Sequence, residues 1–306
     1  VAEHLDVVVP ELDRLHALGK TRRWPAGSRP KVVNPLGAVL KHGKTRMVVD
    51  QTVSGVNSHM SHQYFRMPTV ETAVAGLSKG AWLGKIDISD AFLLFPIPEE
   101  DQTYFGFQHP VTKEFFVYTA LVFGNKNSPY KFCSFSEHIH NVLRVYGLDD
   151  LCVFMDDWLA TSNASQFECE LRMRVLLRIF RRLNIPVKAS KTVWPSQCVV
   201  FLGIIVNTLK QTLTLPEDKR LAALDLLSEA LRAYDTKQRV LGSFWHSLTG
   251  KLSFAGCVMP AGRTFIRRLW DAGRSLAGLS KRACQRHSLL ITPEAAKDLR
   301  WWLSAL

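Results

Sequence analysis

The chain of 306 residues is 47% hydrophobic and 22% charged, with a mean hydropathy of −0.00. That balance excludes a disordered tail, and no apolar run reaches the ~18 residues that a membrane-spanning helix needs. Lys and Arg outnumber Asp and Glu by 39 to 27, a net charge of +12 that suits a polyanionic partner such as nucleic acid.

In chain order, Val9, Leu12, Leu15 and Leu18 mark a short amphipathic segment, and the polar stretch 21–30 reads as a loop. Stretches 32–40 and 46–50 read as strands joined by a turn at His42-Gly43-Lys44. Thr69 caps a short helix reaching Leu77, and 81–88 is a strand ending among Asp87 and Asp90. The aromatic runs 104–107 and 115–118 predict a hairpin that turns at His109-Pro110. Ser128-Pro129 opens a helix to Tyr146, since Pro is tolerated in a first helical turn. Two apolar strands, 151–154 and 158–160, flank Met155-Asp156-Asp157. A basic amphipathic helix over 165–183 and strands over 199–206 and 212–215 follow. Past Pro216 helices dominate, over 217–233, 238–256, 263–273 and 293–303. A lobe boundary is placed near residue 210, where the charge bias shifts. Residues 1–206 hold 23 basic and 19 acidic side chains, and 207–306 hold 16 and 8.

Six cysteines without a C-x-x-C argue against a zinc ribbon or a disulfide framework and favour reduced thiols in the cytoplasm or nucleus. The first residues lack a Met and a secretory leader, so the chain reads as a piece of a longer protein. His59-x-x-His62 and His138-x-His140 have no converging partners and read as incidental.

The sharpest local feature is Phe154-Met155-Asp156-Asp157. Adjacent carboxylates between apolar strands repel one another, and burial raises the cost. A divalent cation offsets it, and Mg²⁺ favours carboxylate oxygens together with substrate phosphates. An exposed polar turn explains the pair equally simply. Asp87 ends a different strand. If the two strands are sheet neighbours, three carboxylates could hold two ions ~3.5–4 Å apart for phosphoryl or nucleotidyl transfer.

These residues resemble reverse transcriptases. Asp87-Ile88-Ser89-Asp90-Ala91-Phe92 is similar to motif A, Phe154-Met155-Asp156-Asp157 to motif C, and Leu121-Val122-Phe123-Gly124-Asn125-Lys126-Asn127-Ser128-Pro129 to motif B. Phe201-Leu202-Gly203 resembles the primer-gripping motif E, and 41–50 the fingers hairpin. The resemblance covers about residues 30–260, with five motifs in order. Stretches 248–255 and 262–269 are most similar to DIRS-type tyrosine-recombinase retroelements. Val122 stands where motif B often has Pro, and Phe123 where some relatives have Gln.

The resemblance implies an α/β (α+β) right-hand polymerase with an antiparallel palm sheet and packed helices. It implies a lead-in over 1–30, fingers and palm over 31–210, and a helical thumb with the start of a connection over 211–306. The RNase H domain is absent and expected to follow in the full polyprotein. Asp87, Asp156 and Asp157 would be catalytic and, with the Ile88 carbonyl, would hold two Mg²⁺ or Mn²⁺ ions, Asp157 more peripherally. Lys41 and Arg46 would bind the triphosphate, Phe92 would act as the steric gate against a 2′-hydroxyl, and Phe123 and Gly124 would line the nucleotide site. Lys191 would protonate pyrophosphate, with Lys188 competing for that role.

Ser128, Pro129, Phe201, Leu202, Gly203, Lys251, Arg263 and Arg267 would face nucleic acid, with Arg268 beside them. A solvated basic helix explains these arginines equally well. Trp245, Phe254 and Trp270 read as core. The implied partners are an RNA or DNA template-primer and deoxynucleoside triphosphates, with no membrane; oligomeric state stays open. A catalytically silent nucleic-acid binder and a two-metal nuclease are the alternatives. The first must explain an intact acidic trio, the second the resemblance of motifs B and E.

Overall fold

Four strands meet in one sheet in the order Leu151–Phe154, Asp157–Ser162, Trp82–Asp87, Val193–Ser196. The computed structural model describes residues 4–41 and 44–306. The chain divides into two units, one formed by the chain up to Pro68 with Leu83–Pro195, the other by Thr69–Trp82 with Ser196–Leu306.

In the first unit, strand alternation sorts the central sheet into two faces. Gly84, Ile86 and Trp158 fall on one. A Cβ at Gly84 would lie 2.1 Å from the Met173 sulfur, so glycine lets the helix Gln166–Arg182 approach. Trp158 is fully buried, edge-on to Phe180 at 5.1 Å. The helix Ser128–Val145 adds Phe132, Ile139 and Leu143 to the same core. Each such buried side chain is worth about 1.5–3 kcal/mol. The other face carries Lys85, Asp87 and Asp157.

The turn between the first two strands is tighter than expected. Phe154 pairs with Asp157, which leaves only Met155 and Asp156 to turn the chain. Two-residue turns match the twist of the strands they join, so the second aspartate is drawn into the ladder. Met155 accepts a left-handed φ of 52° to allow it.

A second core of this unit lies under the helix Leu5–Ala17. It buries Val8, Leu12 and Leu15 against Met47, Val49 and Tyr118. Val8 replaces the expected Val9, and Leu18 is exposed, because the spacing 8, 12, 15 keeps to one helical face. Within the expected loop 21–30, Thr21–Arg23 forms a strand against Phe115–Tyr118, a partner supplied only by the fold. Gly106–Gln108 pairs with the same strand. Leu36–Lys41 and Lys44–Val49 form the expected hairpin; His42 and Gly43 of its turn lie outside the described residues.

In the second unit the single strand expected over 199–206 is a hairpin, Cys198–Phe201 against Ile204–Asn207, with Thr212–Thr214 added beyond. Leu202 (φ 49°) and Gly203 (φ 76°) take the left-handed conformations of its two-residue turn. Among the described residues four long helices follow, Glu217–Asp235, Gly242–Ala255, Gly262–Ala272 and Pro293–Ala305, with the short helix Lys281–Cys284 before the last. They close over Leu227, Trp245, Leu252, Leu269, Leu299 and Trp302. The second begins at Gly242 rather than 238 because Val240–Leu241 is held as a strand by Ser288–Leu289. Trp270 is not in this core. It is 58% exposed, since Gly262, Ile266 and Leu269 already fill the buried face of its helix. Among the described residues no helix is long and apolar enough to cross a membrane.

Candidate active site

The first unit holds a cavity of about 860 Å³ lined by Arg46, Asp87, Phe92, Phe123, Asp156 and Lys191, among others. Six residues singled out in the sequence, from five stretches of chain, are thus brought together. Two backbone bonds seat the acids. The Ile88 N–H donates to the Asp156 carbonyl (3.0 Å) and the Lys188 N–H to the Asp87 carbonyl (2.9 Å).

Charge is unbalanced here. Asp87 is only 4% exposed, and Lys191 Nζ lies 2.7 Å from its Oδ1. Burial pushes the Asp156 carboxyl above the usual carboxylate range, and the like charges of Asp157 and Asp87 add to this. Asp157 is held differently, with Lys85 Nζ 2.9 Å from its Oδ1. Among the described residues no three His, Cys, Asp or Glu side chains converge into a ready-made metal cage. The set still fits Mg²⁺. Its donors are hard oxygens, the Lys191 ammonium already occupies a cation position on Asp87, and Mg²⁺ normally completes its shell with water and phosphate.

Phe92 and Phe123 pack ring to ring at 4.9 Å, and Phe92 also meets the buried Phe132 at 6.2 Å. Arg46 lies over the Phe123 ring at 5.6 Å. The Lys41 side chain lies outside the described residues. Gly124 has a structural reason of its own: at φ 101°, a Cβ would come within 2.0 Å of the Val49 carbonyl oxygen. Glycine therefore lets this loop run against the strand that carries Arg46, where the Val49 N–H donates to the Phe123 carbonyl at 2.9 Å. Ser128 is fully buried, its hydroxyl without a partner. Pro129 sits in the first turn of its helix.

The sequence reading passed over several residues of this site. Lys85 stands two positions before Asp87, and period-two alternation was the signal that could have found it. Arg14 bonds Glu11 and reaches Asp90 Oδ2 at 3.2 Å, two residues before Phe92 in the chain. Asn57 donates to the Gly124 carbonyl (2.9 Å), and fully buried Gln51 accepts from Asn125 (2.6 Å). No sequence spacing links these pairs.

The second unit holds the remaining candidates. Phe201 is fully buried, while Leu202 and Gly203 are part-exposed in the turn. Lys219 donates to the Gly203 carbonyl (3.0 Å) and lies 4.4 Å from the centre of the Phe254 ring, which is part-buried. Lys251 and Arg267 are exposed, and Arg263 pairs with Glu71 at 3.3 Å. Arg268 is committed elsewhere, bonding the fully buried Asp298 with two guanidinium nitrogens.

The family model for reverse transcriptase (RNA-dependent DNA polymerase) matches residues 39–206, more than half of the chain. The chain belongs to the reverse transcriptase family. It is 27% identical over 249 residues to an uncharacterized protein of Caenorhabditis elegans, covering 78% of this chain and 17% of that protein. It is 26% identical to the Gag-Pro-Pol polyprotein of Human T-cell leukemia virus 2, covering 60% of this chain and 13% of the polyprotein. The transposon Tf2-3 polyprotein of Schizosaccharomyces pombe is 24% identical over 55% of this chain. This reverse transcriptase domain thus spans a small part of the length of the curated relatives it matches. Among solved structures, the foamy viral protease-reverse transcriptase bound to double-stranded DNA superposes with a TM-score of 0.73 over 98% of this chain and 47% of that one, at 20% identity. The same enzyme with an RNA/DNA hybrid gives 0.68 over 96% of this chain and 35% of that one, at 19% identity. The fold is that of the right-hand polymerases.

Proposed function

We propose that this reverse transcriptase domain extends a primer 3′-hydroxyl with deoxynucleotides on an RNA or DNA template during replication of a retroelement. The observation that carries this reading is the convergence, on one cavity, of Asp87 and Asp156 with Arg46, Phe92 and Lys191. An excess of buried negative charge beside a cationic and an aromatic wall suits a nucleoside triphosphate brought in with divalent cations.

In the reaction the primer 3′-hydroxyl gives up its proton to solvent, its oxygen bonds the α-phosphorus, the bond from that phosphorus to the α–β bridging oxygen breaks, and pyrophosphate leaves with that oxygen. Arg46 would grip the triphosphate, for which a guanidinium's forked donors are suited. The Phe92 ring, braced by Phe123 and Phe132, would leave no room for a ribose 2′-hydroxyl. Lys191 Nζ would give a proton to the departing pyrophosphate. Two Mg²⁺ ions, held by Asp87, Asp156 and the Ile88 carbonyl with Asp157 at the margin, would supply Lewis acidity and charge neutralisation.

Residues 31–210 would serve as fingers and palm and 211–306 as thumb and start of a connection, with an RNase H domain following in the polyprotein. Leu202, Gly203, Lys251, Arg263 and Arg267 would touch the template-primer. We place the element nearest the DIRS-type lineage and its work in the cytoplasm or nucleus. Primer extension on an RNA template with Mg²⁺ tests the proposal. Extension by the wild-type chain that disappears in Asp156→Asn is the expected result. Binding of the hybrid without extension would mean a silent binder, and shortening of labelled duplex without nucleotides would mean a nuclease.

A further inference from the structure

The two aspartates of the Asp156-Asp157 pair face different surroundings. Asp156 stands in the turn, crowded by Asp87 and Asp157. Asp157 is the first residue of the strand Asp157–Ser162, paired across the ladder with Phe154. Its backbone is therefore fixed by sheet hydrogen bonds. Its side chain is ion-paired as well, the Lys85 ammonium lying 2.9 Å from Oδ1 without an aligned hydrogen bond. Both side chains are largely withdrawn from water, at 16% exposure for Lys85 and 22% for Asp157, and Asp157 Oδ1 itself is buried. An ion pair so placed is screened far less than one at the surface. Lys85 and Asp87 stand two apart on one strand and share its face, so Lys85 and Lys191 each set an ammonium against one carboxylate of the cluster.

We infer that Lys85 is a positioning residue that pins Asp157 outside the divalent-ion shell, leaving Asp87 and Asp156 as the carboxylate ligands. The inference rests on the polymerase reading and deepens it. It makes the site asymmetric. One carboxylate of the pair stays available to an ion, while its neighbour is neutralised inside the protein and keeps the turn in register. Lys85 also contributes a positive charge beside the cluster, which holds ion affinity down until a triphosphate supplies further oxygens. Removing that charge and freeing a third carboxylate should tighten ion binding by the chain alone.

The test is Mn²⁺ binding to the 306-residue chain without nucleotide, followed by electron paramagnetic resonance, with primer extension measured in parallel. Lys85→Met is expected to bind Mn²⁺ about tenfold more tightly than wild type, a unit charge at this range in a partly buried site being worth at least that much. Lys85→Arg should stay near wild type, and Lys85→Met/Asp157→Asn should return to it. In the wild-type background, Asp157→Asn should weaken affinity about tenfold, because it uncovers the Lys85 charge, and Asp156→Asn, which also removes a ligand, should weaken it about a hundredfold. This last comparison decides the matter should Lys85→Met fail to fold. Equal weakening by Asp157→Asn and Asp156→Asn, or unchanged affinity in a folded Lys85→Met, would overturn the inference. Extension by wild type with no affinity change in Lys85→Met defeats the inference alone. Tighter binding in Lys85→Met without any extension by wild type defeats the polymerase reading alone. Absence of both defeats both.

Discussion

Both units bury aspartate, and they treat it in opposite ways. In the second unit Asp298 is fully buried and takes paired bonds from Arg268, so one acid meets one base. In the first, Asp87, Asp156 and Asp157 gather against the ion-paired ammonium groups of Lys85 and Lys191. A matched acid is a strut whose removal costs stability. A cluster with one more acid than paired lysines keeps like-charge repulsion at Asp156 and favours positive charge from outside.

The contrast breaks or sharpens by substitution. Asp156→Asn should cost about 10³-fold or more in primer extension, the scale on which reacting-centre residues act. The same change should leave the melting temperature of the ion-free chain equal or higher, because it removes like-charge repulsion. Loss of activity together with loss of stability would erase the distinction between site and strut. Phe92→Ala should relax discrimination against ribonucleotides by about 10²-fold in the ratio of kcat/KM values, while unchanged selectivity would remove Phe92 from the site.

For the strut the expectation reverses. Arg268→Met should lower the melting temperature by several degrees, and Asp298→Leu by less, because an orphaned buried carboxylate costs more than a missing ion pair. Extension by the folded fraction should be unchanged in both. Arg267→Ala should weaken hybrid binding only a few-fold and reduce the slope of log affinity against log salt by about 1, as loss of a single phosphate contact does.

The smallest effect concerns a buried base. Burial is the main cause that lowers the pKa of His140 below its ordinary value, and its Nε2 is buried without a partner. The unfolded chain then takes up the proton more readily, so this residue's contribution to stability is present above the ordinary histidine pKa and lost as pH falls through the folded one. Urea midpoints of His140→Gln should therefore depend slightly less on pH between about 7 and about 5 than those of wild type.

Much of the site was legible because its members sit in short strings whose residue types restrict their chemistry. Asp87, Phe92, Phe123 and Asp156 are of this kind, and each lines the cavity. What escaped notice depends on partners far along the chain. Lys85 reads as an ordinary strand residue until Asp157 stands beside it. Arg268 reads as one more cation on a basic helix until Asp298, thirty residues away, takes it as a partner. Trp270 reads as core because tryptophan usually is, yet its helix had already filled its buried face with Ile266 and Leu269. Ser128 reads as a nucleic-acid contact from its motif, yet the helix it begins buries it completely.

Residue order alone determined the alternation of apolar strands and helices, the surplus of cations, and which acids close each strand. Those are local properties, set by side-chain type and period. Only the tertiary structure decided which charges are cancelled. Pairing energy depends on separation and on the exclusion of water, and both are created when a sheet assembled out of chain order sets Trp82–Asp87 beside Asp157–Ser162.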